Sequence, residues 1–314
     1  MNLIDDTIDL AAYMRSDDDI GMRVRSASEF REALRAAFAP PPTGQRKATM
    51  LSTKLRDVIE FRPGEVTCWA GYSGHRKSMF TGQVAVDLIA QDHRVLILSM
   101  EMLPRDTLKR MARQAHGMAV PLDWQLDQFS DWTDGRLWMF DHVGRITPAR
   151  CIAVCRYFAE ELQGEHVMID SMMMVCASEE HLDEQKQFMT DMVRIAQETG
   201  LHVHLVAHCR KPQTGEDKPP TKYDLRGSAA ISDQAHNVVM VWADKGKKAK
   251  ADGRPGDTYV GGTPDALVTV EKQRNGAWEG RARLWFDESS LRFTDTYGAA
   301  IAPYAAMQRL GGQA

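Results

Sequence analysis

Eight residues, Gly71-Tyr72-Ser73-Gly74-His75-Arg76-Lys77-Ser78, stand between an apolar strand-like stretch (VTCWA) and a stretch of helical periodicity (SMFTGQVAVDLIA). Strand, Gly-rich turn and helix in that order restrict the possible folds more than any other feature of the chain. A turn that opens a helix at a strand end gathers backbone N–H groups and the positive end of the helix dipole in one concavity. Such a concavity accepts phosphate. Lys77 adds a point charge for β- and γ-phosphates, and Ser78 adds a hydroxyl for Mg²⁺. All eight residues are therefore candidate nucleotide-binding residues. Arg76 departs from the pattern G-x-x-x-x-G-K-S/T, which has Gly before the Lys. A side chain there crowds the phosphates, demands an unfavourable backbone angle, or extends outward with little effect. Those three readings stay open on the sequence, and they bear on hydrolysis more than on binding.

Alternating strands and helices continue on both sides of this motif. Glu65 to Ala70, Arg94 to Ser99, Leu137 to Asp141, His166 to Asp170 and Leu201 to Ala207 read as strands. Helices are expected from the turn to about Gln91, then near Arg105 to His116, Pro148 to Leu162 and Glu184 to Thr199. The pattern predicts an α/β fold, a mainly parallel sheet flanked by helices. After Asn237 it shifts to strands alone, Val238 to Trp242, Ala266 to Lys272 and Arg281 to Phe286, predicting antiparallel C-terminal strands. Three segments follow: 1–50, an acidic stretch with Asp17, Asp18 and Asp19, a short helix from Ser28 to Phe38 with Ser28 as cap, and a Pro-rich linker at 39–44; 51–296, the main domain; and 297–314, a tail. The short helix is expected to dock on the main domain or on a neighbouring subunit.

At 314 residues the chain has room for one large α/β domain. No apolar run approaches bilayer length, and the acidic N-terminus lacks the basic head of a secretory signal. No membrane association is expected. Cys68, Cys151, Cys155, Cys176 and Cys209 are scattered and odd in number, which points to a reduced, cytoplasmic compartment and away from zinc. A net charge of −4 does not mark a nucleic-acid binder, but such a protein needs basic groups only where phosphates pass. Two segments read as mobile loops: Lys211 to Tyr223, rich in Pro, Lys and Thr, and Lys245 to Asp265, whose basic first half reads KGKKAKADGR. A solvated linker and a phosphate-touching loop are both open for the second.

Further motifs follow in order. Asp170 ends the apolar strand HVMID, where a carboxylate can hold Mg²⁺ opposite the phosphate loop. Glu101, in LSMEM, ends the strand after the loop's helix and can orient and deprotonate an attacking water, or complement a helix dipole. His208 ends the strand VHLVAH, placed to sense a γ-phosphate, while His202 and His204 lie within that strand and read as structural. Lys272-Gln273-Arg274-Asn275-Gly276 is either a hairpin with solvated ends or the source of an arginine finger for an adjacent subunit.

Taken together, GEVTCWAGYSGHRKS, LSMEM, HVMID, VHLVAHCRKP, DLRGSAAISDQAHNVV and VEKQRNGAWEGRARLWFD resemble the ATPase domain of the hexameric replicative DNA helicases. The bacterial DnaB type, the phage primase-helicases and Twinkle are its branches, and the resemblance covers about Leu51 to Asp295. It implies a RecA-like fold, ATP or another NTP with Mg²⁺ as ligands, and a ring, six subunits in the family, around single-stranded DNA in a bacterial or phage-infected cytosol. A primase or polymerase on a separate chain is an implied partner. It assigns Lys77 and Ser78 to triphosphate and Mg²⁺, Glu101 to catalysis, Asp170 to Mg²⁺, His208 to γ-phosphate sensing, and Arg274 with Lys272 to a neighbouring subunit's nucleotide. Arg226, Gly227 and Ser228 fall where the family contacts the DNA backbone. The N-terminal helix matches the family's subunit-latching helix by position, and no zinc-binding primase module is expected before Leu51. A hydrolysis-poor loader or scaffold and a RecA-like strand-exchange recombinase are the alternatives.

Overall fold

The computed structural model describes residues 2–4, 13, 26–39, 47–176, 181–210, 218–247 and 262–310. The acidic cluster at 17–19, residues 40–44 of the linker, and positions 211–217 and 248–261 of the two basic loops lie outside them. One ten-stranded sheet runs through the described residues. Its strands are β1 (Asn2–Ile4), β2 (Val66–Gly71), β3 (Val95–Ser99), β4 (Leu137–Phe140), β5 (His166–Asp170), β6 (His202–His208), β7 (Asn237–Ala243), β8 (Ala266–Gln273), β9 (Gly280–Asp287) and β10 (Arg292–Thr294). Their order in space is β1-β4-β3-β5-β6-β2-β7-β8-β9-β10. β1 to β7 pair in parallel, and β8 to β10 continue antiparallel, as the pattern after Asn237 predicts.

Helices α1 (Arg31–Phe38), α2 (Lys77–Ala90), α3 (Pro104–His116), α4 (Asp123–Thr133), α5 (Pro148–Leu162), α6 (Leu182–Thr199), α7 (Ala230–Gln234) and α8 (Ala305–Leu310) complete the fold. The parallel strands are buried on both faces, so two cores form. Val66, Cys68 and Ala70 of β2 face the core shared with α5 and α6. Trp69 points the other way, into a core with α2, α3 and the antiparallel strands. That alternation is the two-residue period of a strand covered on both sides. All five cysteines are free and buried in these layers. No helix of the described residues is long and apolar enough to cross a membrane.

The two ends of the chain depart from the expected outline. Asn2–Ile4 adds an edge strand beside β4, and the Tyr13 hydroxyl donates to Glu161 at 2.9 Å. The first helical turn starts at Ala27, not Ser28, with the Ser26 N–H donating to the Glu29 carboxylate at 2.9 Å. α1 exposes Phe30, Leu34 and Phe38 at 48%, 60% and 84%, so its apolar stripe is uncovered in a single copy. At the other end, residues after 296 run on against the domain. Met307 is buried, and the Gln128 amide donates to its carbonyl at 2.7 Å.

Asp87 of α2 ties both flanks to the domain. It receives the Leu51 N–H at 3.0 Å and the Tyr304 hydroxyl at 2.5 Å. Burial, outweighing those two hydrogen bonds, raises its carboxyl to about 6. An unfolded Asp titrates near ~3.9, so the folded chain holds this proton more tightly. The group's contribution to stability is complete below about pH 4 and is lost as pH rises through about 6. The stability difference between native protein and Asp87→Asn is therefore expected to change by on the order of 3 kcal/mol from pH 4 to pH 7. Urea unfolding across that range measures it, and parallel curves for the two proteins would contradict the assignment.

Candidate nucleotide site

β2 lies between β6 and β7, near the middle of the ten-stranded sheet, and delivers the Gly71–Ser78 turn at its carboxyl end. Gly71 is required by proximity: a Cβ there would stand 2.2 Å from the Val241 carbonyl oxygen of β7. Gly74 and Arg76 both adopt left-handed backbone, with φ of 74° and 63°. Arg76 thus accepts the angle that the usual glycine would supply, a conformation that costs on the order of 1 kcal/mol for a non-glycine residue. Its side chain leaves the loop. The guanidinium lies 3.8 Å from the centre of the Phe286 ring, and Nη2 is 3.6 Å from Glu288. Of the three readings of Arg76, the unfavourable angle and the outward side chain both hold, and the guanidinium does not turn into the phosphate concavity.

Lys77, only 5% exposed, opens α2. Nζ donates to the carbonyls of Gly71 at 3.0 Å and Tyr72 at 2.9 Å. Burial lowers its pKa, while Asp170 and Glu101 work against that shift. His208, at the end of β6, places Nδ1 3.2 Å from the same ammonium. An ammonium has donors only, so Nδ1 accepts and the imidazole proton of the neutral ring sits on Nε2. Nε2 faces Glu101 Oε1 at 3.9 Å, an electrostatic rather than a hydrogen-bonding distance. Ser171, the residue after Asp170, donates its hydroxyl to Glu101 Oε1 at 2.6 Å. The His208 ring, and then the Ser171 hydroxyl, hold the Glu101 carboxyl down at about 2 against the opposing effect of partial burial. Glu101 is therefore an ionised, half-exposed base at neutral pH.

Asp170 is partly buried beside it, and desolvation raises its pKa while the neighbouring Ser78 hydroxyl works against that shift. A hydroxyl and two carboxylates within one cluster form the all-oxygen donor set that suits Mg²⁺. Residues 71, 77, 78, 101, 170 and 208 thus converge on one end of the sheet, from three adjacent strand ends and the strand beyond them.

The other two groups of candidates lie elsewhere. Arg226 is anchored through its backbone N–H to the His208 carbonyl at 2.9 Å, while its side chain is exposed. The Ser228 N–H donates to the Gln185 side chain at 2.9 Å, and a Cβ on Gly227 would stand 2.1 Å from that same oxygen. Arg274 sits at the far end of the sheet, its N–H bonded to the His236 carbonyl at 2.8 Å, and the His236 N–H is bonded to the Val66 carbonyl at 2.9 Å. Val66 and Gly71 are five residue steps apart along β2, roughly 17 Å at about 3.3 Å per step. Arg274 cannot reach the phosphate loop of its own chain. Lys272 and Arg274 instead cover the last carbonyls of α7: Lys272 Nζ donates to Ser232 at 2.9 Å and Asp233 at 2.8 Å, and Arg274 Nη2 to Asp233 at 3.3 Å. β8 and β9 form the antiparallel hairpin, with Arg274 and Asn275 exposed at its turn. Asn275 is drawn to Glu65 at 2.7 Å, and β9 resumes only at Gly280.

The family model described as DnaB-like helicase C terminal domain matches residues 53–295. The chain belongs to that family. It is 25% identical over 200 residues to the DNA helicase/primase of Enterobacteria phage T3, a match that takes in 57% of this chain and 35% of the relative. The chain therefore corresponds to about a third of that protein. Among solved structures it is similar to the ATPase domain of G40P, with a TM-score of 0.69 and 17% identity over 87% of this chain and 99% of that one. A DnaB-like replicative helicase described with its primase interactions gives a TM-score of 0.68 and 17% identity, over 87% of this chain and 67% of that one. Both likenesses support the RecA-like fold of a helicase ATPase domain.

Within this DnaB-like domain several site residues escaped the motif reading. Ser171 polarises Glu101, and Lys245, the first residue of the second basic loop, donates to the Ser73 carbonyl at 3.2 Å. Tyr223 is 84% exposed beside Lys222, close in sequence to Arg226. His75 turns away from the concavity: its buried Nδ1 accepts the Ala243 N–H at 3.2 Å, and its ring packs on Tyr72 and Trp242. It fastens the phosphate loop to β7. His202 and His204 are also buried, bonded to Thr67 at 2.8 Å and the Trp69 indole at 3.2 Å, near the opposite end of the sheet. His75→Ala is expected to cost about 1–3 kcal/mol, because it strands a buried N–H. His75→Asn, which keeps an acceptor, should cost less. Urea unfolding of both variants decides it, and equal losses would contradict the hydrogen-bond account.

Proposed function

We propose that this chain is the motor core of a replicative DNA helicase, hydrolysing ATP with Mg²⁺ between neighbouring copies of a ring on single-stranded DNA. One observation carries the reading: Lys77 and Arg274 lie at opposite ends of the same sheet. A site that uses both needs two copies in head-to-tail contact, the heterologous arrangement that closes into rings. The uncovered stripe of α1 is consistent with a further contact between copies.

The triphosphate lies along the Gly71–Ser78 turn, and Lys77 exchanges its two carbonyl partners for phosphate oxygens. Ser78 and Asp170 would hold an Mg²⁺, which when bound would supply charge neutralisation to the triphosphate. Glu101, ionised and aimed by Ser171, takes a proton from the attacking water. Water oxygen bonds to the γ-phosphorus, the bond to the β–γ bridging oxygen breaks, and ADP and phosphate leave. His208, in contact with Lys77 and 3.9 Å from Glu101, lies where the γ-phosphate is gained and lost. Its carbonyl carries the Arg226 backbone, so a shift at the phosphate moves the loop that would follow the DNA backbone. α7 follows that loop and carries Lys272 and Arg274 on its end, which links the same movement to the next copy's nucleotide. The scaffold alternative drew on Arg76 as an obstruction, and its support weakens with the side chain laid on Phe286.

The test uses two inactive variants and their mixture. Lys77→Ala and Arg274→Ala are each expected to lose at least about a thousandfold in DNA-stimulated ATP turnover, the scale of an arginine finger. The Arg274 variant should still bind nucleotide. Mixed and reassembled, the two should regain part of the native rate, because some interfaces then pair an intact Lys77 with an intact Arg274. Wild-type turnover by the Arg274 variant alone, or no recovery on mixing, would overturn the shared site.

A further inference from the structure

One end of β2 leads into the phosphate loop, and the other end holds a polar cluster. Glu65, immediately before the strand, is 3% exposed. Its Oε1 accepts from Asn275 Nδ2 at 2.7 Å and its Oε2 from Asn237 Nδ2 at 3.0 Å. Arg62 Nη1 lies 3.9 Å from Oε1, close enough for attraction but too far for a hydrogen bond. Val66, the next residue, gives its N–H to His236 Nδ1 at 3.1 Å and takes the His236 N–H at 2.9 Å. The His236 carbonyl in turn takes the Arg274 N–H at 2.8 Å. A carboxyl group is tolerated in such a place only where donors meet it. Both donors here are amides, one at the start of β7 and one in the turn that carries Arg274.

Arg274 is exposed, yet both of its chain neighbours are fixed. Gln273 is buried, and its amide donates to the Val58 carbonyl at 2.9 Å and to the Trp278 carbonyl. Asn275 is held on Glu65. The guanidinium itself has a long bond of 3.3 Å to the Asp233 carbonyl. A charge on a flexible stem is aimed only as well as its backbone is placed. A displacement of about 1 Å at a reacting centre can cost about a hundredfold in rate. Precision at the tip of Arg274 therefore depends on the turn, and the turn depends on the start of β2.

Resting on the shared nucleotide site proposed above, we propose that Glu65 is a positioning residue for hydrolysis in the neighbouring copy: through Asn275 it sets the turn that aims Arg274. One strand then carries the chain's own phosphate loop at its end and the anchor of the donated arginine at its start. A fault in the Glu65–Asn275 pair leaves the chain's own nucleotide site intact and impairs the site of the copy it faces.

The test is DNA-stimulated ATP turnover by the full chain. Asn275→Asp, a change at an exposed turn, sets a second carboxylate against Glu65. Adding Glu65→Gln to it restores a donor and an acceptor, because the new amide donates to the new carboxylate while Asn237 still meets an oxygen. Asn275→Asp alone is expected to lower kcat by about ten- to a hundredfold with KM for ATP unchanged, and the double variant to regain most of the loss. Mixed with Lys77→Ala, Asn275→Asp should recover turnover, since its intact loop then meets a well-aimed Arg274. Mixed with Arg274→Ala it should not, since neither copy supplies a working arginine. A native kcat in Asn275→Asp overturns the positioning role. So does a loss that Glu65→Gln does not rescue, which would mean that the added charge acts on Arg274 directly, or the same outcome with both mixing partners. The mixture of Lys77→Ala with Arg274→Ala judges the shared site by itself: recovery there leaves that reading standing whatever Asn275→Asp does, and no recovery removes the shared site and the role of Glu65 together.

Discussion

A buried ammonium at the mouth of a parallel sheet is the constraint on which the rest of this structure depends. Lys77 is nearly without solvent, and its ammonium meets two neutral carbonyls and an imidazole. Removing a cation from water is costly unless counter-charge is close. Asp170 and Glu101 provide part of it from β5 and from the end of β3. In the proposed nucleotide complex, a triphosphate would add further negative charge at the same position. β2 must sit between β6 and β7 for this to work, because those strands bring His208 to the ammonium and Val241 against Gly71.

The same geometry explains how distant segments can respond to that one position. The His208 side chain meets Lys77, and its carbonyl holds Arg226. The short helix α7 comes next, and its final carbonyls are capped by Lys272 and Arg274, whose own phosphate loop is out of reach. These contacts form one continuous chain of hydrogen bonds and packed backbone from one end of the sheet to the other. Only a head-to-tail neighbour brings its two ends into one site, and this is the physical reason for favouring a ring or filament of copies over a lone domain.

Much of this was legible in the sequence because the signals are local. The Gly71–Ser78 turn, the acid closing HVMID and the acid in LSMEM each depend on a strand ending where a short apolar run stops, and β2, β3 and β5 end there. Features set by distant partners were not legible. α4 has no strong cap, so no helix was expected over 123–133, and its place is fixed by packing on α3 and α8. Asn275 turns to Glu65, 210 positions earlier in the chain. Arg76 finds Phe286 at an equal remove, and no periodicity links them. Ser171 gains its role only because β3 and β5 pair in register, with Ser99 beside Asp170.

The most direct test of the central claim is a structure determined with a non-hydrolysable ATP analogue and Mg²⁺. The account predicts that Lys77 Nζ leaves the Gly71 and Tyr72 carbonyls for phosphate oxygens, that the ion is held between Ser78 and Asp170, and that Arg76 stays on Phe286. An analogue bound elsewhere, with Lys77 still on those two carbonyls, would contradict it.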